Sequence, residues 1–134
     1  MPQFRIAEAA RLLGVSDDTV RRWIDAGTLS VQVDGSNRKV VDGAELAAFA
    51  RQQASVPPDP SGVQSSARNR LVGLVTGVVT DRVMAQVEMQ CGSHRIVSLM
   101  SAEAVRELGL EPGVLAVAVI KSTTVVVETP GGTS

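Results

Sequence analysis

Between Ala54 and Gly62 the chain reads Ala-Ser-Val-Pro-Pro-Asp-Pro-Ser-Gly, three prolines and a glycine in nine residues with no apolar period. Proline has no N–H to donate and holds φ at about −65°, so this stretch continues neither a helix nor a central strand. It is a linker, stiff and extended where the prolines lie and flexible in its Ser/Gly part. The chain must therefore fold on either side of it. With 134 residues in all, each side is near the size at which a core alone is marginal, and self-association is a natural expectation.

The two sides differ in period. Before the linker, Ile6, Ala9, Ala10 and Leu13 recur at helical spacing until Gly14-Val15-Ser16 interrupts them. Ser16 can cap a second helix, with Asp17 and Asp18 in a first turn where negative charge suits the dipole. Val20, Trp23 and Ile24 share one face of that helix, which Gly27 stops. Residues 30–33 and 38–41 alternate as a hairpin around Asp34-Gly35-Ser36-Asn37. Asp42-Gly43-Ala44-Glu45 has capping-box spacing and opens a third helix containing Leu46, Phe49 and Ala50.

After the linker the pattern predicts strands over 71–80, 83–89, 94–100, 114–120 and 124–128. A short helix over 101–108 follows the third strand. Five strands with one helix in that place describe a small Greek-key barrel of the OB type. Aromatic residues are only 2% of the chain and tyrosine is absent, so both cores must be built from Val, Leu, Ile, Ala and Met. Met84, Met89 and Met100 fall at strand positions and read as core or interface fillers.

Composition narrows the chemistry. Cys91 is the single cysteine and His94 the single histidine, so an intrachain disulfide and a cysteine-rich metal site are excluded, and a catalytic or zinc role for His94 has no recognisable partners. No phosphate loop or nucleophile–base arrangement is recognisable, and no enzymatic role is expected. A signal segment is not visible and the apolar runs are only strand length, which points to a cytoplasmic protein without a membrane partner. The net charge of −1 does not by itself suit nucleic acid. In residues 1–54, however, seven basic residues balance seven acids, and Arg21-Arg22 and Arg38-Lys39 form two basic pairs, so their arrangement decides.

The run from Phe4 to Leu29, with its small residues at Ala9 and Ala10, its Gly14-Val15-Ser16 turn and its Val20-Arg21-Arg22-Trp23 segment, resembles the winged helix-turn-helix of MerR-like and excisionase-like proteins. That resemblance covers residues 4–50 and implies double-stranded DNA as partner. The second helix would enter the major groove and the hairpin would act as a wing. Thr19, Arg21 and Arg22, with Asn37, Arg38 and Lys39 on the wing, are the implied contacts to base edges or phosphate. Trp23 is expected in the core.

Residues 66–129 resemble the molybdate-binding domain called molbindin, Mop or TOBE. The matching pieces, in order, are Ser66-Ala67-Arg68-Asn69-Arg70-Leu71, Gly73, Ile96-Val97-Ser98-Leu99-Met100-Ser101, Glu107-Leu108-Gly109-Leu110, Pro112-Gly113 and Ala118-Val119-Ile120-Lys121-Ser122-Thr123. Val97 stands where relatives often have threonine. The chemistry agrees with the resemblance, because a tetrahedral dianion is held by converging N–H and O–H donors rather than by metal-type ligands. Arg68 and Lys121 would offset charge, and Ser66, Ser98, Ser101 and Ser122 would donate. In that family the oxyanion, molybdate or tungstate, lies between subunits.

The expectation is thus an α+β chain of two domains: a winged helix-turn-helix over 1–53, a linker over 54–65, an OB-like five-stranded β-barrel with one short helix over 66–129, and a flexible tail over 130–134. Its expected role is a molybdate- or tungstate-binding transcriptional regulator acting as a homo-oligomer, a dimer or higher such as a hexamer. A molybdate storage protein, with the helix-turn-helix as an assembly element, is the main alternative, and an excisionase-like architectural DNA binder is the third.

Overall fold

The two periods end in two separate cores. The computed structural model describes residues 2–130, and the chain divides between Ser55 and Val56 into an N-terminal and a C-terminal unit. Of the expected tail, residues 131–134 lie outside the described residues.

The N-terminal unit begins with β1 (Gln3–Arg5) and α1 (Ile6–Leu13). The Glu8 carboxylate accepts the Arg5 N–H at 3.0 Å and so closes the start of α1. Gly14, at φ +69°, ends it in the left-handed conformation, and the Val15 N–H returns to the Ala10 carbonyl at 3.0 Å. As expected, α2 (Asp17–Asp25) starts on Ser16, whose Oγ accepts the Thr19 N–H at 3.1 Å. The wing is β2 (Gln32–Val33) with β3 (Lys39–Asp42), and α3 (Gly43–Gln53) closes the unit.

Two details differ from the sequence expectation. β1 pairs antiparallel with β3, Phe4 opposite Val41, so the wing belongs to a three-stranded sheet ordered β1-β3-β2. Three residues are too few to show a period, which is why this strand is silent in the sequence. The capping box at α3 is also only half formed. Asp42 caps the Glu45 N–H at 3.1 Å, but the Glu45 carboxylate turns to the Ser30 N–H at 2.9 Å and ties the chain entering the wing to α3. Ala9, Ala10, Val20, Leu29, Val41, Leu46 and Phe49 are buried at the centre, and the half-buried Trp23 lies against Phe49 with ring centroids 4.8 Å apart. Alanine at two consecutive α1 positions, both essentially without exposure, leaves room for the close helix crossing.

The C-terminal unit is built on β4 (Asn69–Thr80), β5 (Met84–Cys91), β6 (His94–Ser101), α4 (Ala102–Leu108) and β7 (Leu115–Ile120). Its sheet order is β6-β5-β4-β7, three strands in a meander with the fourth returning beside the first, all antiparallel. This is a Greek key, curled into an OB-like half-barrel. β5 alternates strictly, Ala85, Val87, Met89 and Cys91 buried and Gln86 and Gln90 exposed, as a strand with one covered face should. Ser101 caps α4 by accepting the Ala104 N–H at 3.0 Å, and Gly109, at φ +65°, ends it.

Of the five expected strands, four form ladders among the described residues. The stretch 124–128 does not. Ser122–Thr124 instead makes a 3-10 turn, with the Thr124 N–H on the Lys121 carbonyl at 3.0 Å, and Val126 and Val127 are 82% and 83% exposed. Valine favours a strand only where a partner edge and a covered face receive it, and the turn carries this segment off the β7 ladder. What remains between the sheet's outer strands is an apolar cleft of about 490 Å³, lined from β6 by Ile96, Val97, Ser98 and Met100 and from β7 by residues 115–120.

Gly73 marks the closest approach within the sheet. A Cβ there would collide with the Gln90 carbonyl and reach to 2.7 Å from Cys91 Sγ, so β4 and β5 need a residue without a side chain at this point. Gly73→Ala is expected to destabilise the C-terminal unit by about 1–3 kcal/mol, checked by denaturant unfolding. Trp23→Ala should cost the N-terminal unit about 3 kcal/mol by opening a cavity beside Phe49. Because Trp23 is the only tryptophan, fluorescence of the otherwise unaltered chain reports that unit alone, and far-UV circular dichroism can follow the variant.

Candidate functional site

The antiparallel register of β4 and β7 decides which oxyanion-type residues meet. Asn69 stands opposite Ile120, and its side-chain amide donates to the Ile120 carbonyl at 3.2 Å. Ser66 and Arg68, which lead into β4, are therefore brought to the same end of the sheet as Lys121 and Ser122, which follow β7. The Arg68 guanidinium donates to the Ser65 carbonyl at 3.4 Å, and the Ser65 hydroxyl accepts the Ala67 N–H at 3.1 Å. The Lys121 carbonyl receives both the N–H and the hydroxyl of Thr124.

Ser98 and Ser101 lie elsewhere, on β6 at the opposite edge of the sheet. Ser98 borders the apolar cleft together with Ile120 of β7. Ser101 uses a lone pair on the Ala104 N–H, which leaves its hydroxyl proton available to a ligand. All six side chains are exposed in the single chain. They form two groups, four residues at the β4/β7 end and two along β6, and no closed cage.

Arg70 is a polar anchor that the sequence reading missed. Its Nε donates to Asp59 Oδ2 at 2.6 Å and its Nη2 to Ser61 Oγ at 2.6 Å, while Ser61 donates its own N–H and O–H to Asp59 Oδ1. The linker, expected to be stiff at its prolines and flexible in its Ser/Gly part, is thus pinned at Asp59 and Ser61 to the start of β4. The Arg70 hydrogen bond, with those from Ser61, holds the Asp59 carboxyl well below the usual carboxylate range. Pairing across 11 residues leaves no local signal in the sequence.

On the N-terminal unit, Arg21, Arg38 and Lys39 share an open groove with Arg5 and Arg11 of α1 and its N-cap, which the sequence reading did not single out. Glu8 and Asp17 are its two carboxylates. Thr19 and Arg22 fall outside it. Arg22 Nη2 donates to Thr19 Oγ1 at 3.1 Å, and Thr19 Oγ1 also lies 3.0 Å from Ser16 Oγ. Asn37 takes the left-handed position of the wing turn at φ +61°, and Arg38 Nε donates to Asp34 Oδ2 at 3.3 Å. Asp34 also accepts the backbone N–H groups of Arg38 and Ser36 at 2.9 Å, and these bonds, chiefly that from Arg38, lower its pKa. Trp23 packs against the core, as expected. His94 is exposed and Cys91 is buried, and no cluster of three metal-ligating side chains occurs among the described residues. No helix among the described residues is long and apolar enough to cross a membrane.

Known proteins divide along the same line. The TOBE domain family model matches residues 65–127 and a helix-turn-helix domain family model matches residues 4–54. Molybdenum-pterin-binding protein 1 of Clostridium pasteurianum is 41% identical over 63 residues, 46% of this chain and 93% of that protein. The probable molybdenum-pterin-binding protein of Haemophilus influenzae is 43% identical over 63 residues, 46% of this chain and 91% of its own length. Among solved structures, the cytoplasmic molybdate-binding protein ModG, in a form with molybdate bound, is 46% identical, with a TM-score of 0.45 over 48% of this chain and 46% of that one.

The pinned linker makes a prediction with a definite sign. A carboxylate with a depressed pKa keeps its ion pair from neutral into mildly acidic solution and loses it only as the pH falls below the ordinary aspartate range. Limited proteolysis of residues 54–65 should therefore stay slow in mild acid for the wild-type chain. From neutral into mildly acidic solution Asp59→Asn should be cut faster; equal rates for the two chains in that range would show that the Arg70 contact does not hold the linker.

Proposed function

The chain belongs to the TOBE-domain family of the molybdenum-pterin-binding proteins and carries a helix-turn-helix domain ahead of that region; on that premise we propose that it is a molybdate- or tungstate-responsive, DNA-binding transcriptional regulator whose oxyanion site is completed between copies of the C-terminal unit. The observation that carries this reading is the placement of the six candidate donor residues at one end and along one outer strand of the same sheet. Ser66, Arg68, Lys121 and Ser122 are at the β4/β7 end and Ser98 and Ser101 are on β6, all of them exposed.

Donors that stay hydrated in a single chain hold a dianion weakly, because water competes for each of them and screens the charge. A second copy laid against these edges would exclude that water. It would also set two cations and several hydroxyls around one tetrahedral ligand, which charge-assisted hydrogen bonds favour. The same edges carry the apolar material an interface needs: Leu99 is 70% exposed, Leu115 54% and Val119 47%, beside the unpaired Val126 and Val127. Ligand and assembly are then linked, since whatever binds only the assembled form stabilises it by mass action.

The basic groove of the N-terminal unit favours regulation over storage. One helix-turn-helix makes few base contacts, so association of the C-terminal units would supply the second reader that useful affinity requires. The oxyanion acts as a signal only through its different affinity for the two assembly states. This role needs no catalytic step, and the protein would work in the cytoplasm, where both DNA and the anion are available.

Calorimetry with molybdate, tungstate and sulfate tests the site. The first two should bind saturably and more tightly than sulfate, and Arg68→Ala and Lys121→Ala should each weaken them by about tenfold or more, roughly 1.4 kcal/mol. Light scattering should record a larger particle with molybdate present. Equal weak binding of all three anions, indifferent to both substitutions, would sink the oxyanion reading.

A further inference from the structure

Arg21 and Arg22 are adjacent in sequence, but consecutive positions on a helix point about 100° apart, and the fold gives the two side chains different company. Arg21 joins Arg5, Arg11, Arg38 and Lys39 along the open groove bounded by α1, α2 and β3. Each arginine also bonds one turn back, Arg21 to the Asp18 carboxylate at 3.4 Å and Arg22 to Thr19 Oγ1 at 3.1 Å, but Arg22 lies outside that groove and its partner is neutral. Resting on the DNA-binding reading above, we infer that the two arginines divide the work of recognition: the groove, with Arg5 and Arg11 as contacts not evident from the sequence, holds the phosphate backbone of duplex DNA, and Arg22 steadied by Thr19 reads base edges.

The composition of the groove suits phosphate. Five cationic side chains line it with two carboxylates, and one of these, Glu8, already accepts the Arg5 backbone N–H at 3.0 Å, so it is held at the helix start. Arg21 and Arg38 are in addition paired with Asp18 at 3.4 Å and Asp34 at 3.3 Å, both pairs being exposed on the arginine side. Arg5 and Arg11 are exposed and make no ion pair among the described residues, so their guanidinium donors are free for a ligand. The groove draws its cations from β1, α1, α2 and the wing. Such a surface can follow a run of phosphates but carries no pattern with which to distinguish one base from another.

The Thr19–Arg22 side of α2 has the opposite character. Ser16 Oγ, Thr19 Oγ1 and Arg22 Nη2 form a ladder at three-residue spacing along one side of α2, from its N-cap to its last turn, on the helix that this motif lays in the major groove. A guanidinium steadied by one hydrogen bond still offers its remaining donors to a guanine O6/N7 pair.

The test uses the full chain, a random-sequence duplex, and a duplex enriched from a random library by the wild-type protein. Arg5→Ala and Arg11→Ala should each weaken both duplexes alike, roughly three- to tenfold at moderate salt, and lower the slope of log affinity against log salt by about 0.9. Arg22→Ala should instead reduce the ratio of enriched to random binding by roughly tenfold or more. Circular dichroism verifies that each variant is folded, and all three side chains are exposed. Unchanged slopes and affinities for Arg5→Ala and Arg11→Ala, with wild-type binding intact, overturn the groove and leave the regulator reading standing. An unaltered ratio for Arg22→Ala, or a library from which nothing is enriched, overturns the base-reading half. Absence of wild-type binding to any duplex removes both the division of labour and the regulator reading.

Discussion

Pairing of β4 along both of its edges is the constraint on which the C-terminal unit depends. On one side β5 follows it through a bulge between Val75 and Gly77, and on the other β7 returns from Leu74 opposite Leu115 to Asn69 opposite Ile120. Gly73 lets the first of these ladders close, because nothing larger fits against the Gln90 carbonyl. The second ladder places four of the oxyanion-type residues. It converts residues 66–68 and 121–122, more than 50 positions apart in the chain, into neighbours at one sheet end. A one-residue slip would turn every β7 side chain to the other face.

The same arrangement leaves the half-barrel open. Four paired strands cover one face of the sheet, but the space between β6 and β7 remains an apolar cleft and the valines after Lys121 remain exposed. A core of small aliphatic residues with hardly an aromatic ring cannot fill such a gap from within one short chain. On the proposed function, the open edges and the exposed oxyanion-type residues would express a single property, a unit that reaches its full burial and its full ligand shell together.

The N-terminal unit solves its own version of the size problem with short-range devices. Ser16, Asp42 and Glu8 satisfy helix-start N–H groups, Gly14 ends α1, and the Trp23–Phe49 contact joins α2 to α3. Much of this was legible in the sequence, because caps and turns act between residues three to five apart. The strand β1 and the turning of Glu45 to Ser30 were not legible. The first is too short to show a period, and the second pairs groups 15 residues apart. The split between Arg21 and Arg22 is intermediate: helix geometry separates their directions, but only the fold shows that Arg5, Arg11 and the wing stand on one side.

What the sequence by itself determined is the division into two units, the helix caps, the four strands that form ladders and the residue types able to hold an oxyanion or DNA. All of these follow from local periodicity and from side-chain chemistry. The tertiary structure alone decided that the oxyanion-type residues fall into two groups, one at the β4/β7 end and one along β6, that Arg70 draws Asp59 and Ser61 of the linker onto β4, and that the valines of the expected fifth strand find no ladder partner among the described residues. The physical reason is that strand propensity is a demand for an edge and a covered face. Whether that demand is met depends on register and on neighbours that no local pattern encodes.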